Sequence, residues 1–274
     1  RTRPDMFGHT RSAPPRRAID GSNGGWMSQS GLVVSRAVVR RNYAILPPEG
    51  MATSVLPEWS DTVARVLTAP AMGARFAEYL LEVAPGGGTE QTLREDVQMF
   101  LYVLDGQAEL GLNGKAHRLG AGGFAYGKPG TRLTLRASSA LRLLWLKKVY
   151  VPFGHARPVD LVGDEAGVGD ETYMGIEGLL LKTLLPVDLA FDMAMNIFTF
   201  PPGYSLPMIE THVMEHGLYF LQGQGLYYLG DTWSEVRSGD FIWMGPYVPQ
   251  SFYATSSTPS RYLYYKDVHR DVEL

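Results

Sequence analysis

The segment Glu210-Thr211-His212-Val213-Met214-Glu215-His216 lies between Gly203 and Gly223, and Gln250 follows 34 residues after His216. The surrounding sequence is typical of β-structure, and Glu210 and His212 share one face of a strand because side chains two residues apart point the same way. We predict that His216 follows a short turn, begins the next strand and points at the same place. Nitrogen and oxygen ligands without cysteine favour a divalent first-row metal. The alternative is a pair of surface histidines on a polar edge.

The composition narrows the class of protein. The chain has 274 residues, is 45% hydrophobic and carries a net charge of −3, so one large or two ordinary domains are expected, with no nucleic acid or membrane as partner. It has no cysteine, which excludes disulfides and thiolate ligands. No apolar run reaches the ~18 residues of a membrane-spanning helix, and the first residues lack the apolar core of a signal peptide. We therefore expect a soluble, cytoplasmic protein.

Residues 1–30 differ from the rest of the chain. They contain five arginines, Pro14-Pro15 and Gly24-Gly25, and show no periodicity. We interpret them as a disordered N-terminal arm. A transit peptide is the alternative, and the acidic Asp5 and Asp20 count against it.

The remainder contains an internal repeat. Gly106 and Gly223 lie 117 residues apart, and so do Gly122 and Gly239, each within similar β-branched and aromatic runs. Asn113-Gly114 is a hairpin signal. This pattern predicts two antiparallel β-sandwich or barrel domains, at residues 31–155 and 156–274. We expect minor helices in the connections, around residues 73–81 or 160–170.

The spacing of the second half resembles the two cupin motifs. The first motif is Gly203, Glu210-x-His212, His216 and Gly223, although common cupins carry His-x-His followed by Glu. The second begins at Gly239-Asp240 and has Gln250 where common cupins carry histidine. With the duplication, the chain resembles a bicupin. The resemblance implies an all-β fold of two antiparallel β-barrel or jelly-roll cupin domains.

This ligand set resembles the (S)-ureidoglycine aminohydrolases, over a stretch from about Ser35 to the C-terminus. That family hydrolyses (S)-ureidoglycine to (S)-ureidoglycolate and ammonia in ureide and purine catabolism. The resemblance implies a C-terminal cupin that binds Mn²⁺, other divalent first-row metals being possible. The metal ligands that it implies are Glu210, His212, His216 and Gln250.

The last strand supplies further polar groups. Tyr262, Tyr264 and Lys266 alternate onto one face, with Arg261 and Asp267 facing outward. The resemblance implies that Tyr262 and Lys266 are catalytic and that they bind the substrate together with Glu210 and Gln250. Glu210 is also a candidate catalytic proton shuttle. One carboxylate offsets only one of the two charges of the metal, so a small anionic substrate is the expected partner. The resemblance implies a carboxylate-bearing ureide, and the charge fits oxalate or a keto acid equally. The alternative is an amphipathic strand with Lys266 in water.

The first half lacks this site. At the ligand positions it carries Leu93, Glu95, Met99 and Leu133, which cannot hold a divalent ion, so we predict that this half serves packing and pocket walls.

For several aromatic and acidic residues, the sequence also predicts a location in the core, in the pocket wall or in solvent. We interpret Glu215 as a solvated turn carboxylate, with a general base as the alternative. Tyr227 is a candidate for the pocket wall. Four aromatic residues are predicted to be core: Trp233, Trp243, Phe241 and Tyr219.

Other functions are open to the same fold. A metal-dependent oxygenase or oxidase of a small carboxylic acid would consume oxygen, which a hydrolase does not need. A non-catalytic sensor or storage bicupin has little reason to keep four ligands beside Tyr262 and Lys266. A sugar or keto-acid isomerase is a third alternative. Bicupins bury apolar faces between subunits, so we expect a homo-oligomer.

Overall fold

A computed structural model describes residues 35–271 of the chain. The predicted arm at residues 1–30 lies outside the described residues. No helix within residues 35–271 is long and apolar enough to cross a membrane.

The strands are numbered along the chain. Those of the first half are β1 (Val38–Val39), β2 (Tyr43–Leu46), β3 (Thr53–Ser54), β4 (Trp59–Thr68), β5 (Phe76–Thr92), β6 (Val97–Asp105), β7 (Ala108–Leu112), β8 (Lys115–Leu119), β9 (Gly123–Gly127), β10 (Arg132–Ala137) and β11 (Leu141–Val149). Those of the second half are β12 (Leu161–Asp164), β13 (Glu171–Thr172), β14 (Leu180–Thr183), β15 (Met193–Phe200), β16 (His216–Gln222), β17 (Gln224–Leu229), β18 (Thr232–Arg237), β19 (Phe241–Met244), β20 (Gln250–Ala254) and β21 (Ser260–Asp267).

Antiparallel pairing builds two barrels, which confirms the predicted fold class. The N-terminal barrel is one sheet in the order β12-β9-β6-β11-β5-β10-β7-β8, with β4 and β3 added beside β5. The C-terminal barrel combines the sheet β1-β2-β19-β16-β21-β15-β14-β13 with the smaller sheet β18-β17-β20. Asn113 and Gly114 both have positive φ and connect β7 to β8, as the hairpin signal predicts.

Each half of the chain contributes strands to the barrel of the other half. β2 of the first half pairs with β19 of the C-terminal barrel, and β12 of the second half pairs with β9 of the N-terminal barrel. Ala44 and Leu161 lie 117 residues apart, so the exchange follows the duplication. A boundary at residue 155 therefore separates the repeats of the sequence but not the two sheets.

Within residues 35–271, helical structure is confined to short 3₁₀ turns, which lie at Pro48–Gly50, Pro70–Met72, Glu165–Gly167 and Tyr173–Gly175. The helix expected around residues 73–81 is wrong, since β5 begins at Phe76. Phe76, Glu78 and Leu80 are buried and alternate with less buried residues, which is the periodicity of a strand. The region 160–170 holds β12 and one turn, whose start is capped by Asp164 accepting from the Ala166 N–H at 2.8 Å.

Apolar side chains fill three places: the interior of each barrel and the interface between the barrels. In the N-terminal barrel, Leu93, Met99 and Leu133 belong to the packed interior, and Glu95 is exposed. Three of the four positions that would carry ligands in the first half are thus occupied by core residues. The interior of the C-terminal barrel is more polar and holds the candidate site.

Candidate metal centre and active site

The predicted ligands come from the loop before β16 and from the start of β20. Glu210 and Gln250 form an isolated bridge, in which each main-chain N–H donates to the carbonyl of the other at 2.8 and 2.9 Å. His216 begins β16, as predicted. The strand expected across Glu210 and His212 is wrong, because only Glu210 pairs and His212 lies in the loop. Pro207, which cannot donate to a ladder, lies just before this segment.

Three side chains converge at one point. The Nε2 atom of His212 lies 3.2 Å from Nε2 of His216 and 3.2 Å from the amide nitrogen of Gln250. Two ligands bound ~2.1 Å from one ion are ~3.0–3.4 Å apart for angles between 90° and tetrahedral. The spacing of the two imidazoles therefore fits a shared ion.

The tautomer of His216 leaves a lone pair available for a cation at this point. Nδ1 of His216 donates to the carbonyl of Tyr265 at 3.0 Å, which leaves the lone pair on Nε2. Burial, followed by the neighbouring His212, lowers the pKa of His216 to about 3, so its imidazole is neutral. Nε2 of His212, 3.2 Å away, either donates a hydrogen bond to this lone pair or binds the same metal ion. Nδ1 of His212 is buried and has no hydrogen-bond partner among the described residues.

Gln250 is oriented by Tyr227. The Tyr227 hydroxyl donates to Oε1 of Gln250 at 2.6 Å, and the amide nitrogen faces His212. A ligand role requires the amide oxygen on the histidine side. Because a tyrosine hydroxyl both donates and accepts, Tyr227 can hold either orientation of the amide. Tyr227 is fully buried and lines the cavity, as predicted.

The carboxylate of Glu210 lies nearby but is bound to another residue. Its Oε1 accepts from the hydroxyl of Tyr173 at 2.8 Å. No group of three His, Cys, Asp or Glu side chains within residues 35–271 has the arrangement of a metal cluster. The structure thus gathers His212, His216 and Gln250, while the Glu210 carboxylate pairs with Tyr173.

All these residues line one cavity of about 460 Å³ in the C-terminal barrel. Tyr262, Tyr264 and Lys266 line it too, so the face predicted for β21 is the one that the structure shows. The rest of the wall is largely apolar and consists of Leu181, Phe198, Leu206, Met208, Ile209, Met214 and Leu218. A small polar ligand inside this cavity would contact both polar and apolar side chains.

Lys266 provides a cation without a hydrogen-bond partner. Burial lowers the pKa of its ammonium, and the carboxylate of Glu210 acts in the opposite direction. None of the described residues accepts a hydrogen bond from this ammonium. The side chain of Lys266 is half-buried and lines the cavity. Such an ammonium favours an anionic ligand.

Two expectations from the sequence fail. Glu215 is 1% exposed, not solvated, because it accepts from the main-chain N–H of Arg75 and from Nε1 of Trp243. Trp233 is 48% exposed and does not belong to the core. Three other aromatic residues are buried as predicted: Trp243, Phe241 and Tyr219.

Tyr173 is a site residue that the sequence did not reveal. It lies in a 3₁₀ turn between the repeats, where no periodicity or motif marks it. Its partner Glu210 is 37 residues away in the sequence, so only the fold brings the two together. Burial, followed by the hydrogen bond to Glu210, raises the pKa of Tyr173 and keeps its hydroxyl protonated as a donor.

Comparisons with known proteins agree with this geometry. The model of the Cupin domain family matches residues 79–147 and 196–265. The (S)-ureidoglycine aminohydrolase of Escherichia coli (strain K12) is 37% identical over 248 residues, which cover 89% of this chain and 95% of that protein. The (S)-ureidoglycine aminohydrolase of Arabidopsis thaliana is 33% identical over 243 residues, covering 86% and 79%. The crystal structure of protein Ylba from E. coli superposes with a TM-score of 0.80 at 36% identity, covering 88% of this chain and 97% of that one.

Proposed function

This chain belongs to the cupin family and, within it, to the (S)-ureidoglycine aminohydrolases, and we propose that its hydrolysis of ureidoglycine takes place at a divalent metal ion in the cavity of the C-terminal barrel. One observation supports this location above all. The Nε2 atoms of His212 and His216 lie 3.2 Å apart in the same cavity as the ammonium of Lys266.

Four residues form the proposed metal site: Glu210, His212, His216 and Gln250. Mn²⁺ is the ion that we propose, and the donor set of two imidazoles, one carboxylate and one amide oxygen also suits other first-row ions. When bound there, such an ion supplies Lewis acidity and orients the substrate. The donor set carries one negative charge, so a divalent ion leaves the site cationic.

Lys266 and Tyr262 are proposed to hold the substrate. The ammonium of Lys266 pairs with the substrate carboxylate, since none of the described residues accepts a hydrogen bond from it. Tyr262 is buried, and burial raises its pKa well above the ordinary value, so its hydroxyl remains protonated and donates a hydrogen bond. The apolar side chains of the wall lower the local dielectric around these groups, which strengthens both interactions.

Glu210 is proposed to move the proton. In the overall reaction, the oxygen of water forms a bond to the carbon that carries the amino group. The bond between that carbon and the amino nitrogen breaks. A proton from the water must reach the departing nitrogen for ammonia to leave, and the Glu210 carboxylate accepts it and passes it on. The hydroxyl of Tyr173, 2.8 Å from Oε1, orients this carboxylate.

The decisive experiment measures ammonia release from freshly generated ureidoglycine by metal-stripped protein, with and without added Mn²⁺. We expect release only with a divalent ion. Glu210→Gln, assayed with its metal content measured, should lose most of this activity. Absence of ammonia release with every divalent ion tested would refute the proposal, and oxygen consumption would identify an oxygenase instead.

The cytoplasmic location and the homo-oligomer stay predictions. Size-exclusion chromatography with light scattering tests the homo-oligomer directly, and a monomer at micromolar concentration would contradict it.

A further inference from the structure

Arg75, a residue of the N-terminal barrel, contacts two residues that flank the site of the C-terminal barrel. Its main-chain N–H lies 3.1 Å from each carboxylate oxygen of Glu215, and its Nε donates to Oε2 at 3.3 Å. Its Nη2 donates to Oδ2 of Asp267 at 2.8 Å. Glu215 directly precedes His216, and Asp267 directly follows Lys266. Arg75, which belongs to the half without a metal site, thus contacts the residue before His216 and the residue after Lys266.

The alternation of strands explains why these contacts affect the site. His216 on β16 and Lys266 on β21 are register partners, and both line the cavity. Successive side chains of a strand point to opposite faces, so Glu215 and Asp267 point away from the cavity, towards the N-terminal barrel. The carboxylate of Asp267 accepts from the main-chain N–H of Glu215 at 2.5 Å, which extends the contact between the strands by one residue.

A third strand joins the same contact. Nε1 of Trp243, on β19, donates to Oε1 of Glu215 at 2.7 Å. Hydrogen bonds on the outer surface of the barrel therefore connect the neighbouring strands β19, β16 and β21. They lie at the end of the strands where His216 and Lys266 point into the cavity. Because Glu215 is buried, these hydrogen bonds replace water that it would otherwise bind.

The duplication has produced an equivalent contact in which a residue of the second half reaches into the first half. Gln98 lies 117 residues before Glu215, and Asp192 lies 117 residues after Arg75. Asp192 of the second half accepts from Gln98 at 2.5 Å and from Lys148 at 2.7 Å in the first half. The residue after Gln98 is Met99, a core residue, whereas the residue after Glu215 is His216. Of the two contacts, the one made by Arg75 lies beside the ligand set.

We propose that Arg75 is a positioning residue of the enzyme. By holding Glu215 and Asp267, it fixes the distance between the imidazole of His216 and the ammonium of Lys266. Arg75 does not line the cavity, so it acts through its neighbours. This inference rests on the function proposed for the site. Changes to groups that orient metal ligands typically lower metal affinity or activity ~10–100-fold.

The test compares four variants. Arg75→Met removes the guanidinium, Arg75→Lys keeps a cation, and Glu215→Gln keeps the shape of the carboxylate without its charge. Arg261→Met is the matched control. Arg261 lies on β21, the strand that carries Lys266 and Asp267, and it forms an ion pair with Glu165 at 2.8 Å. Its side chain is 24% exposed and that of Arg75 is 35% exposed. For each folded variant we would measure Mn²⁺ affinity by titration, kcat and KM for ammonia release, and hydrogen exchange of residues 211–217.

We expect Arg75→Met to weaken Mn²⁺ binding and to lower kcat/KM, each by ~10–100-fold, and to speed up exchange in residues 211–217. Arg75→Lys should recover part of the loss, and Glu215→Gln should show a loss of the same kind. Arg261→Met should keep Mn²⁺ affinity, kinetics and exchange at wild-type values. If Arg75→Met does not fold, Glu215→Gln decides the question.

Two results would overturn the inference: wild-type Mn²⁺ affinity, kinetics and exchange in folded Arg75→Met, or an equal loss in Arg261→Met. The failure of the proposed function has a different signature, namely a wild-type protein that releases no ammonia with any divalent ion. In that case the exchange of residues 211–217 still decides whether Arg75 holds the site, because exchange requires neither substrate nor metal.

Discussion

Replacement of Lys266 by methionine should weaken substrate binding without lowering the stability of the protein. The ammonium lines the cavity, is half-buried and has no hydrogen-bond partner among the described residues. In our proposal its partner is the carboxylate of the substrate. Lys266→Met keeps most of the length of the side chain and removes only the charge and the donors.

The expected loss follows from a desolvated ion pair. Removal of one partner of a buried, hydrogen-bonded charge pair costs about 2–4 kcal/mol. At ~1.36 kcal/mol per factor of ten, kcat/KM should fall ~30- to ~1000-fold. The carboxylate does not change during the reaction, so its contact is equally strong in the ground state and the transition state. Most of the loss should therefore appear as a higher KM.

The stability of Lys266→Met should change in the opposite direction. Burial lowers the pKa of Lys266, which means that the fold penalises the charged form. Removal of a buried charge without a hydrogen-bond partner should leave the free energy of unfolding unchanged or increase it. A residue kept for function and not for stability has this signature.

The assay is ammonia release by metal-replete protein, combined with thermal unfolding of the same samples. Lys147→Met is the matched control, because burial also lowers the pKa of Lys147 and its ammonium lies 4.4 Å from the ring of Trp145 in the N-terminal barrel. This control should keep the wild-type KM. A wild-type KM in Lys266→Met would refute the role of Lys266, and a clearly lower melting temperature would show that the residue is structural.

Three further predictions follow from the geometry. Burial raises the pKa of Glu78 from 4.5 to about 8, so the stability that depends on this group should be complete below about pH 4.5 and be lost as the pH rises through 8. The melting temperature of Glu78→Gln should not fall in this way. Glu82 is a more exposed residue of the same strand, so the melting temperature of Glu82→Gln should follow that of the wild type. Tyr173→Phe removes the hydrogen bond to the Glu210 carboxylate, worth about 1.5–3 kcal/mol, and should lower kcat/KM ~10- to ~150-fold; unchanged kinetics would show that this hydroxyl does not orient the carboxylate. Chelation should abolish ammonia release and lower the melting temperature, with Mn²⁺ restoring both, since a ligand that binds only the folded state stabilises it; a chelated protein with full activity would contradict the metal site.

Local spacing was enough for the parts of the site that follow short-range geometry. Tyr262, Tyr264 and Lys266 line the cavity because alternation along one strand is independent of the rest of the fold. His216 begins a strand where a polar turn meets an apolar run. The repeat of 117 residues revealed two barrels and the loss of ligands from one of them. The helix expected at residues 73–81 failed, because the alternating burial of Phe76, Glu78 and Leu80 comes from tertiary packing.

Contacts between distant segments decided the remainder. The residues around Glu215 have the composition of a solvated turn. The partner of Glu215 is Arg75, which is 140 residues away and in the other barrel. Tyr173 reaches Glu210 from a turn that carries no signal. The exchange of β2 and β12 between the sheets also joins residues far apart in sequence.

The sequence by itself determined the all-β duplicated fold, the family and the candidate ligands, because each depends on residue types at short, regular spacings. Only the tertiary structure decided that the imidazoles of His212 and His216 face each other, that Lys266 has no hydrogen-bond partner within residues 35–271, and that Arg75 contacts Glu215 and Asp267 from the opposite barrel. The physical reason is that burial, pKa and hydrogen bonding depend on which distant groups are packed together. Sequence spacing describes neighbours along the chain and not neighbours in space.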